Sequence, residues 1–479
     1  MGALVLVAAT VLGAVVLREG DPSVRSGGES RTVETRTGLV RGVDDDGVRH
    51  WRGVPYARPP VGALRWQPPQ PMPAWDGVRA ADAYGAPCLQ PTVDYAFGSS
   101  GLQPRPGSSE DCLYLNVARP IAPADDGPLP VVVWLHGGGF FAGSGATADA
   151  AADAFVRRGV VLVSINYRLG LLGFFAHPAL PGGVANYGLL DQIAALRWVR
   201  DNAAAFGGDP ARVTLVGGSA GAMSVNALMA APRAAGLFDA AIAQSAPSDH
   251  NAVALAQARR AGERRFPGLG AGALRALPAD RLLDSRFNVL SGSAPILDDV
   301  LPRPSVEAFA RGEETAVPYV LGSTATEFDD ADFRSFDTDP DALRAALGGP
   351  QHRRLVAAYG SRYAEEVLDD ALFRLPALRL ARWHARRAPT YRFVFAAERG
   401  ASRHGSEVGF LFDDTGERDP SLAEYWVAFA RTGRPEVAGL PAWPRADDDG
   451  LLVFTPRGPR AETPDPALGR LRVLDVVTR

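Results

Sequence analysis

The chain has 479 residues, 46% apolar and 22% charged, an ordinary globular composition with length enough for a large core. Its formal net charge is -4, every basic residue is arginine and no basic block occurs, which argues against nucleic acid as a partner. Its two cysteines, Cys88 and Cys112, fit no zinc pattern, since a structural zinc site wants four ligands.

The first feature along the chain is an uncharged run from Gly2 to Leu17. It is long for the apolar part of a signal peptide and slightly short for a membrane span. Residues 1–30 therefore read as a signal-like or anchor segment with a linker, and residues 31–479 as one domain. Any membrane contact is expected through that first segment alone, and the expected location is secreted or cell-envelope. A bridge between Cys88 and Cys112 would close a loop of roughly 25 residues and contribute about 3 kcal/mol. It would also imply an oxidising compartment. Spacing alone leaves that pairing open.

The stretch "LPVVVWLHGGGF" (129–140) reads as a buried strand ending in glycines, and "GVVLVSINYRLG" (159–170) as a second strand. Residues 187–208 carry apolar positions at helical spacing and stop at Gly207-Gly208. "VTLVGGSAGAMSVNALMAA" (213–231) is strand, tight corner, then helix. Residues 238–246, 316–323 and 390–398 are further short strands. Residues 247–315, rich in Ala, Arg and Pro, read as a cap-like insertion. Strands alternating with helices predict an α/β fold with a mostly parallel central sheet covered by helices on both faces.

The corner at 217–221 is where chemistry enters. A serine between glycines at a strand-to-helix turn is held in a strained conformation, with its hydroxyl above the carboxyl edge of the sheet. Ser219 is therefore the candidate nucleophile. Its negative charge needs a receptor, and "HGGGF" (136–140) follows a strand with backbone N–H groups unshielded by side chains. Together with the N–H of Ala220 these can form an oxyanion hole. Of the seven histidines, His404 in "GASRHGSEVGF" follows a strand at the same sheet edge. His352 reads as a solvated helix start and His384 as part of a charged helix. The acid must lie between serine and histidine in the chain. Glu327 leads, with Asp329, Asp330, Asp298 and Asp299 as rivals that the pattern leaves open.

These residues resemble the type-B carboxylesterases, the family that also contains the cholinesterases. "WRGVPYARPPVGALRW", "SSEDCLYLNV", "HGGGF", "NYRLGLLGF", "FGGDPARVTLVGGSAGA", "PYVLGSTATEF" and "HGSEVGFLF" carry the resemblance in order across nearly the whole chain from Arg31. It implies an α/β-hydrolase fold with Ser219, Glu327 and His404 as the triad, and oxyanion donors at Gly138, Gly139 and Ala220. It implies that Cys88 and Cys112 are bridged, and that Arg65 pairs with Glu110 and Arg168 with Asp191. It implies a serine carboxylesterase acting on a small-molecule ester, with no metal and no cofactor. Four departures stand out. Gly218 occupies the place of the family's usual glutamate, and Phe328 that of a glycine. The loop between the cysteines holds Tyr95 and Phe97 but no tryptophan. The cap is short, which implies a shallower gorge.

Two other readings share the fold: a non-catalytic adhesion or scaffold member, and a lactone or carbamate hydrolase. The first normally lacks a triad residue, and here all three are present. The sequence fixes neither the ester nor the oligomeric state.

Overall fold

In a computed structural model, residues 30–91, 107–123, 127–149, 151–180, 182–247, 252–283, 295–335, 339–397, 402–413 and 415–478 are described. The run from Gly2 to Leu17, Tyr95, Phe97 and His250 lie outside them. Among the described residues no helix is long and apolar enough to cross a membrane.

An 11-stranded sheet organises these residues. Its strands are β1 (Val43–Asp45), β2 (Val48–Pro55), β3 (Tyr114–Pro120), β4 (Leu129–Leu135), β5 (Val161–Ile165) and β6 (Gly208–Gly218). They continue as β7 (Ala240–Gln244), β8 (Tyr319–Thr324), β9 (Thr390–Phe395), β10 (Leu451–Thr455) and β11 (Gly458–Glu462). In space the order is β1-β2-β3-β5-β4-β6-β7-β8-β9-β10-β11. The strands from β5 to β10 pair in parallel. Both edges are antiparallel, formed by β1, β2 and β3 on one side and the β10–β11 hairpin on the other.

The apolar run of β4 shows why the centre is parallel. All seven of its residues are buried. Val131, Val133 and Leu135 point into one core with Leu189, Ile193 and Leu196 of helix α1 (Tyr187–Asn202) and Val225 and Leu228 of helix α2 (Ala220–Ala230). Val132 and Trp134 point into the other core with Leu422, Trp426 and Phe429 of helix α3 (Ser421–Thr432). A strand with two apolar faces needs a helical layer on each, and each such buried side chain contributes about 1.5–3 kcal/mol.

The described part of 247–315 is helical at Leu255–Arg265, Ala271–Arg275 and Ser305–Arg311, and adds a short parallel pair, Val253–Ala254 with Ile296–Leu297. A second helical excursion lies between β8 and β9; the sequence points to helices at His352 and His384 within it but not to their packing as one unit. It has its own core of Leu355, Tyr359, Val367 and Leu368, closed by Leu471 and Leu474 of the C-terminal helix Leu468–Val477.

The disulfide joins Cys88 and Cys112, with Cα atoms 4.8 Å apart. Replacing both with alanine is expected to lower stability by about 3 kcal/mol through loop entropy. Urea unfolding of the two forms measures it, and an unchanged midpoint would contradict the expectation. Both matched ion pairs form. Arg65 engages Glu110 through Nε and Nη2 at 2.8 and 2.5 Å. Arg168 engages Asp191 through the same two nitrogens, both at 2.7 Å and fully enclosed.

Candidate active site

The site grows from the sheet order. The chain leaves β4 toward β5 on one side and leaves β6 toward β7 on the other, so the connections diverge between two adjacent strands. In open α/β sheets that divergence leaves a crevice beyond the carboxyl ends of the strands. Leu135 of β4 pairs with Gly217 of β6, so the "HGGG" and "GGSAG" turns leave the sheet side by side.

Both turns depend on glycine. A Cβ on Gly221 would lie 2.1 Å from the Leu135 carbonyl oxygen, and one on Gly217 would lie 2.4 Å from Gly221. Ser219 between them has φ 56° and ψ -121°. That left-handed conformation costs a non-glycine residue on the order of 1–3 kcal/mol. The Ser219 N–H donates to the Gln244 carbonyl of β7 at 2.8 Å, which holds the corner against the neighbouring strand.

His404 and Glu327 arrive from the ends of β9 and β8. Their loops are tied by hydrogen bonds from His404 N–H to the Glu327 carbonyl (3.1 Å) and from Thr326 N–H to the Ser402 carbonyl (3.1 Å). His404 Nε2 lies 2.8 Å from Ser219 Oγ, and Nδ1 lies 2.5 Å from Glu327 Oε2. A carboxylate only accepts, so Nδ1 carries the proton and Nε2 is left to accept from the serine hydroxyl. The structure therefore brings Ser219, His404 and Glu327 into one hydrogen-bonded chain. Glu327 is fully buried, and its other oxygen accepts from Thr324 N–H at 2.8 Å.

The rival acids point elsewhere. Asp329 pairs with Arg403 at 2.6 Å, and Asp330 pairs with Arg344. Asp298 accepts from the N–H groups of Ala185, Asn186, Val300 and Leu301. Asp299 sits by Gly183, whose carbonyl accepts from its N–H. His352 and His384 engage groups away from the serine. His352 begins a helix as expected, beside the Tyr363 hydroxyl. His384 ends the helix Leu375–His384, but it is buried between Glu314 Oε1 at 2.9 Å and the Val317 carbonyl at 2.8 Å rather than on a charged surface.

Gly138 and Gly139 take φ of 102° and 59°, values open to glycine at little cost. Among the described residues no hydrogen bond engages their N–H groups. The loop is fixed from behind by bonds from Phe141 and Ala142 N–H to the Gly138 carbonyl. His136 stacks on Tyr167 at 4.4 Å, and the Tyr167 hydroxyl donates to the His136 carbonyl. Burial holds the His136 imidazole down to about 4, so it stays neutral. Ala220 begins α2, where the helix N-terminus favours negative charge.

Of three further neighbours of the site, Phe328 stands out in the sequence as a departure, while Asp369 and Glu407 carry no clear signal. Asp369 accepts from the N–H groups of Glu327 (2.8 Å) and Phe328 (3.1 Å), fixing the acid's loop from a helix 42 residues on. Phe328 lies against the His404 ring at 4.7 Å, with Phe373 behind at 5.5 Å. Glu407 is fully buried one helical turn after His404. Its Oε1 accepts from the Ser245 hydroxyl at 3.4 Å, and its Oε2 has no partner among the described residues. Burial and the Glu327 charge push both Asp369 and Glu407 up to about 7. Gly218 leaves ordinary space: a Cβ there would meet Val408 at 3.6 Å and Trp134 at 3.7 Å. Burial draws the His404 imidazole down, but Glu327, then Glu407 and Asp369, together lift it above its ordinary value.

A serine at a strained corner on a parallel sheet, with an imidazole and a carboxylate from later strand ends, defines an α/β-hydrolase. The chain belongs to the carboxylesterase family, whose model, described as "Carboxylesterase family", matches residues 29–346. It is 34% identical over 465 residues to the para-nitrobenzyl esterase of Bacillus subtilis (strain 168), covering 88% of this chain and 94% of that protein. It is 34% identical over 470 residues to the fumonisin B1 esterase of Sphingopyxis macrogoltabida, covering 88% and 85%. A solved PNB esterase superposes with a TM-score of 0.79 at 31% identity, covering 93% of this chain and 99% of that one.

Proposed function

We propose that the protein hydrolyses small carboxylic esters by two-step acyl transfer at Ser219. His404 takes the serine proton as the hydroxyl attacks the ester carbonyl. The oxyanion rests on the N–H groups of Gly138, Gly139 and Ala220. His404 then gives the proton to the leaving alcohol. In the second step water, activated by the same imidazole, releases the acid. Glu327 fixes the imidazole's tautomer and stabilises its charged form. The observation that carries this reading is the continuous chain from Ser219 Oγ through His404 to Glu327 at 2.8 and 2.5 Å. Relatives named as esterases support the substrate class. The buried disulfide supports maturation in an oxidising compartment.

Rapid mixing with p-nitrophenyl acetate tests the proposal. A burst of nitrophenolate equal to the enzyme, followed by steady turnover, is expected if acylation outpaces release of the acid. Absence of any turnover would favour a non-catalytic member of the family.

Glu407 gives a second expectation, with a definite sign. Folding favours its protonated form, so the group removes stability as pH rises from 4.5 to about 7. Once ionised it also raises the His404 pKa. Glu407→Gln is therefore expected to move the acid limb of kcat/KM to lower pH, since His404 must be neutral to act. A pH profile of wild type and variant measures it; a limb that stays in place or moves upward contradicts it.

A further inference from the structure

A cavity of about 350 Å³ lies away from Ser219, Glu327 and His404, between the sheet and the helices that follow β8 and β11. Its floor is one face of four neighbouring strands. Ser323 pairs with Val394, Val394 with Val453, and Val453 with Arg460, so these side chains share that face. Arg392 joins the same face two residues before Val394. Arg374 and Ala377 come from one helical wall, and Arg470 from the C-terminal helix.

Among the described residues, the arginines of this cavity outnumber the carboxylates they pair with. Five arginines line the cavity: Arg362, Arg374, Arg392, Arg460 and Arg470. Their carboxylate partners are four: Glu366, Asp370, Glu462 and Asp465. Asp370 is shared by Arg374 and Arg470, at 3.1 and 2.7 Å. Arg392 is the most enclosed, its side chain 6% exposed. Its Nη2 reaches Asp465, but its buried Nη1 has no acceptor among the described residues. Arg374 Nε is in the same position. A buried donor left without an acceptor is costly and rare in native proteins, which makes these two nitrogens candidates for a ligand.

We propose that this cleft binds a small organic carboxylate with an apolar body. The unpartnered donors of Arg392 and Arg374 suit an anionic group, and arginine forks match carboxylates. Val394, Val453 and Ala377 offer an apolar surface for the rest of the molecule. The volume falls in the range of small-molecule sites. Arg374 Nη2 also donates to the Ala325 carbonyl, two residues before Glu327, so an occupant would touch the strand end that carries the acid.

Calorimetric titration with hexanoate tests this, with hexanamide and inorganic phosphate as controls. Binding of one hexanoate per chain is expected, and both controls should bind about tenfold more weakly or worse. Arg392→Gln should weaken hexanoate by about tenfold. Because that change leaves Asp465 without its partner, Ala377→Leu, which fills the cleft from a half-buried helical position, gives a second reading with the same expected loss. Capping the reactive serine with a fluorophosphonate should leave hexanoate binding unchanged. Absence of binding, binding that survives both substitutions, equal binding of phosphate or amide, or loss of binding on capping would each overturn the proposal. A serine that fails to react with the fluorophosphonate would instead count against the acyl-transfer reading, and the two substitutions would still decide the cleft.

Discussion

Ser219→Ala is expected to fold like the parent and to lose activity by about a millionfold in kcat. The hydroxyl is the only atom removed, and the corner is held by backbone. Ser219 N–H still reaches the Gln244 carbonyl, and the glycines at 217 and 221 still let the helix meet the strand. The backbone conformation stays left-handed with alanine, so stability should change little. Ser219→Gly makes the contrast sharper. Glycine adopts φ 56° freely and should raise stability by about 1 kcal/mol while abolishing turnover. Hydrolysis of p-nitrophenyl acetate together with urea unfolding of the three proteins reads both effects. Near-normal turnover in Ser219→Ala would exclude this serine as the nucleophile.

Glu327→Gln is expected to lower kcat by about ten-thousandfold. A neutral amide of nearly the same shape keeps the hydrogen bond from Thr324 but can donate a proton toward Nδ1. The proton then settles on Nε2, which can no longer accept from Ser219, and the charged imidazole loses its stabilising partner. KM should move far less than kcat, because the acid touches the imidazole and not the ester. A variant with full kcat would show that Glu327 is only a structural neighbour. Asp329→Asn is the control: Asp329 faces Arg403, so its loss should leave kcat intact.

The parallel centre of the fold was legible because its strands are apolar on both faces, as in 129–135 and 161–165. The edges were not. β2 and β3 mix Arg, His and Asn with apolar residues, and their pairing is set by partners far along the chain. The packing of the helices between β8 and β9 was not legible for a related reason. Leu355, Val367 and Leu368 bury themselves only because the C-terminal helix returns to cover them. At the site, Ser219, Glu327 and His404 each sit where a strand ends, and that local signature can be read from sequence. Spacing could not choose Glu327 over Asp329; the resemblance favoured it, and the tertiary contacts turn Asp329 toward Arg403. Asp369 lies on a remote helix with no motif around it. Glu407 had a weak signal, an acid three residues past the histidine, but nothing in the chain says that it is buried. Gly218 is visible in sequence as a substitution, and the structure adds that it leaves ordinary space beside Val408 rather than a clash.

The most direct measurement is mass spectrometry of the protein quenched during turnover of p-nitrophenyl acetate, with the acetylated peptide located by fragmentation. The mechanism places the acetyl group on Ser219 in stoichiometric amount, and it should accumulate further in a His404→Ala variant only if acylation survives there. Acetyl found on another residue, or none during sustained hydrolysis by the wild type, would contradict it.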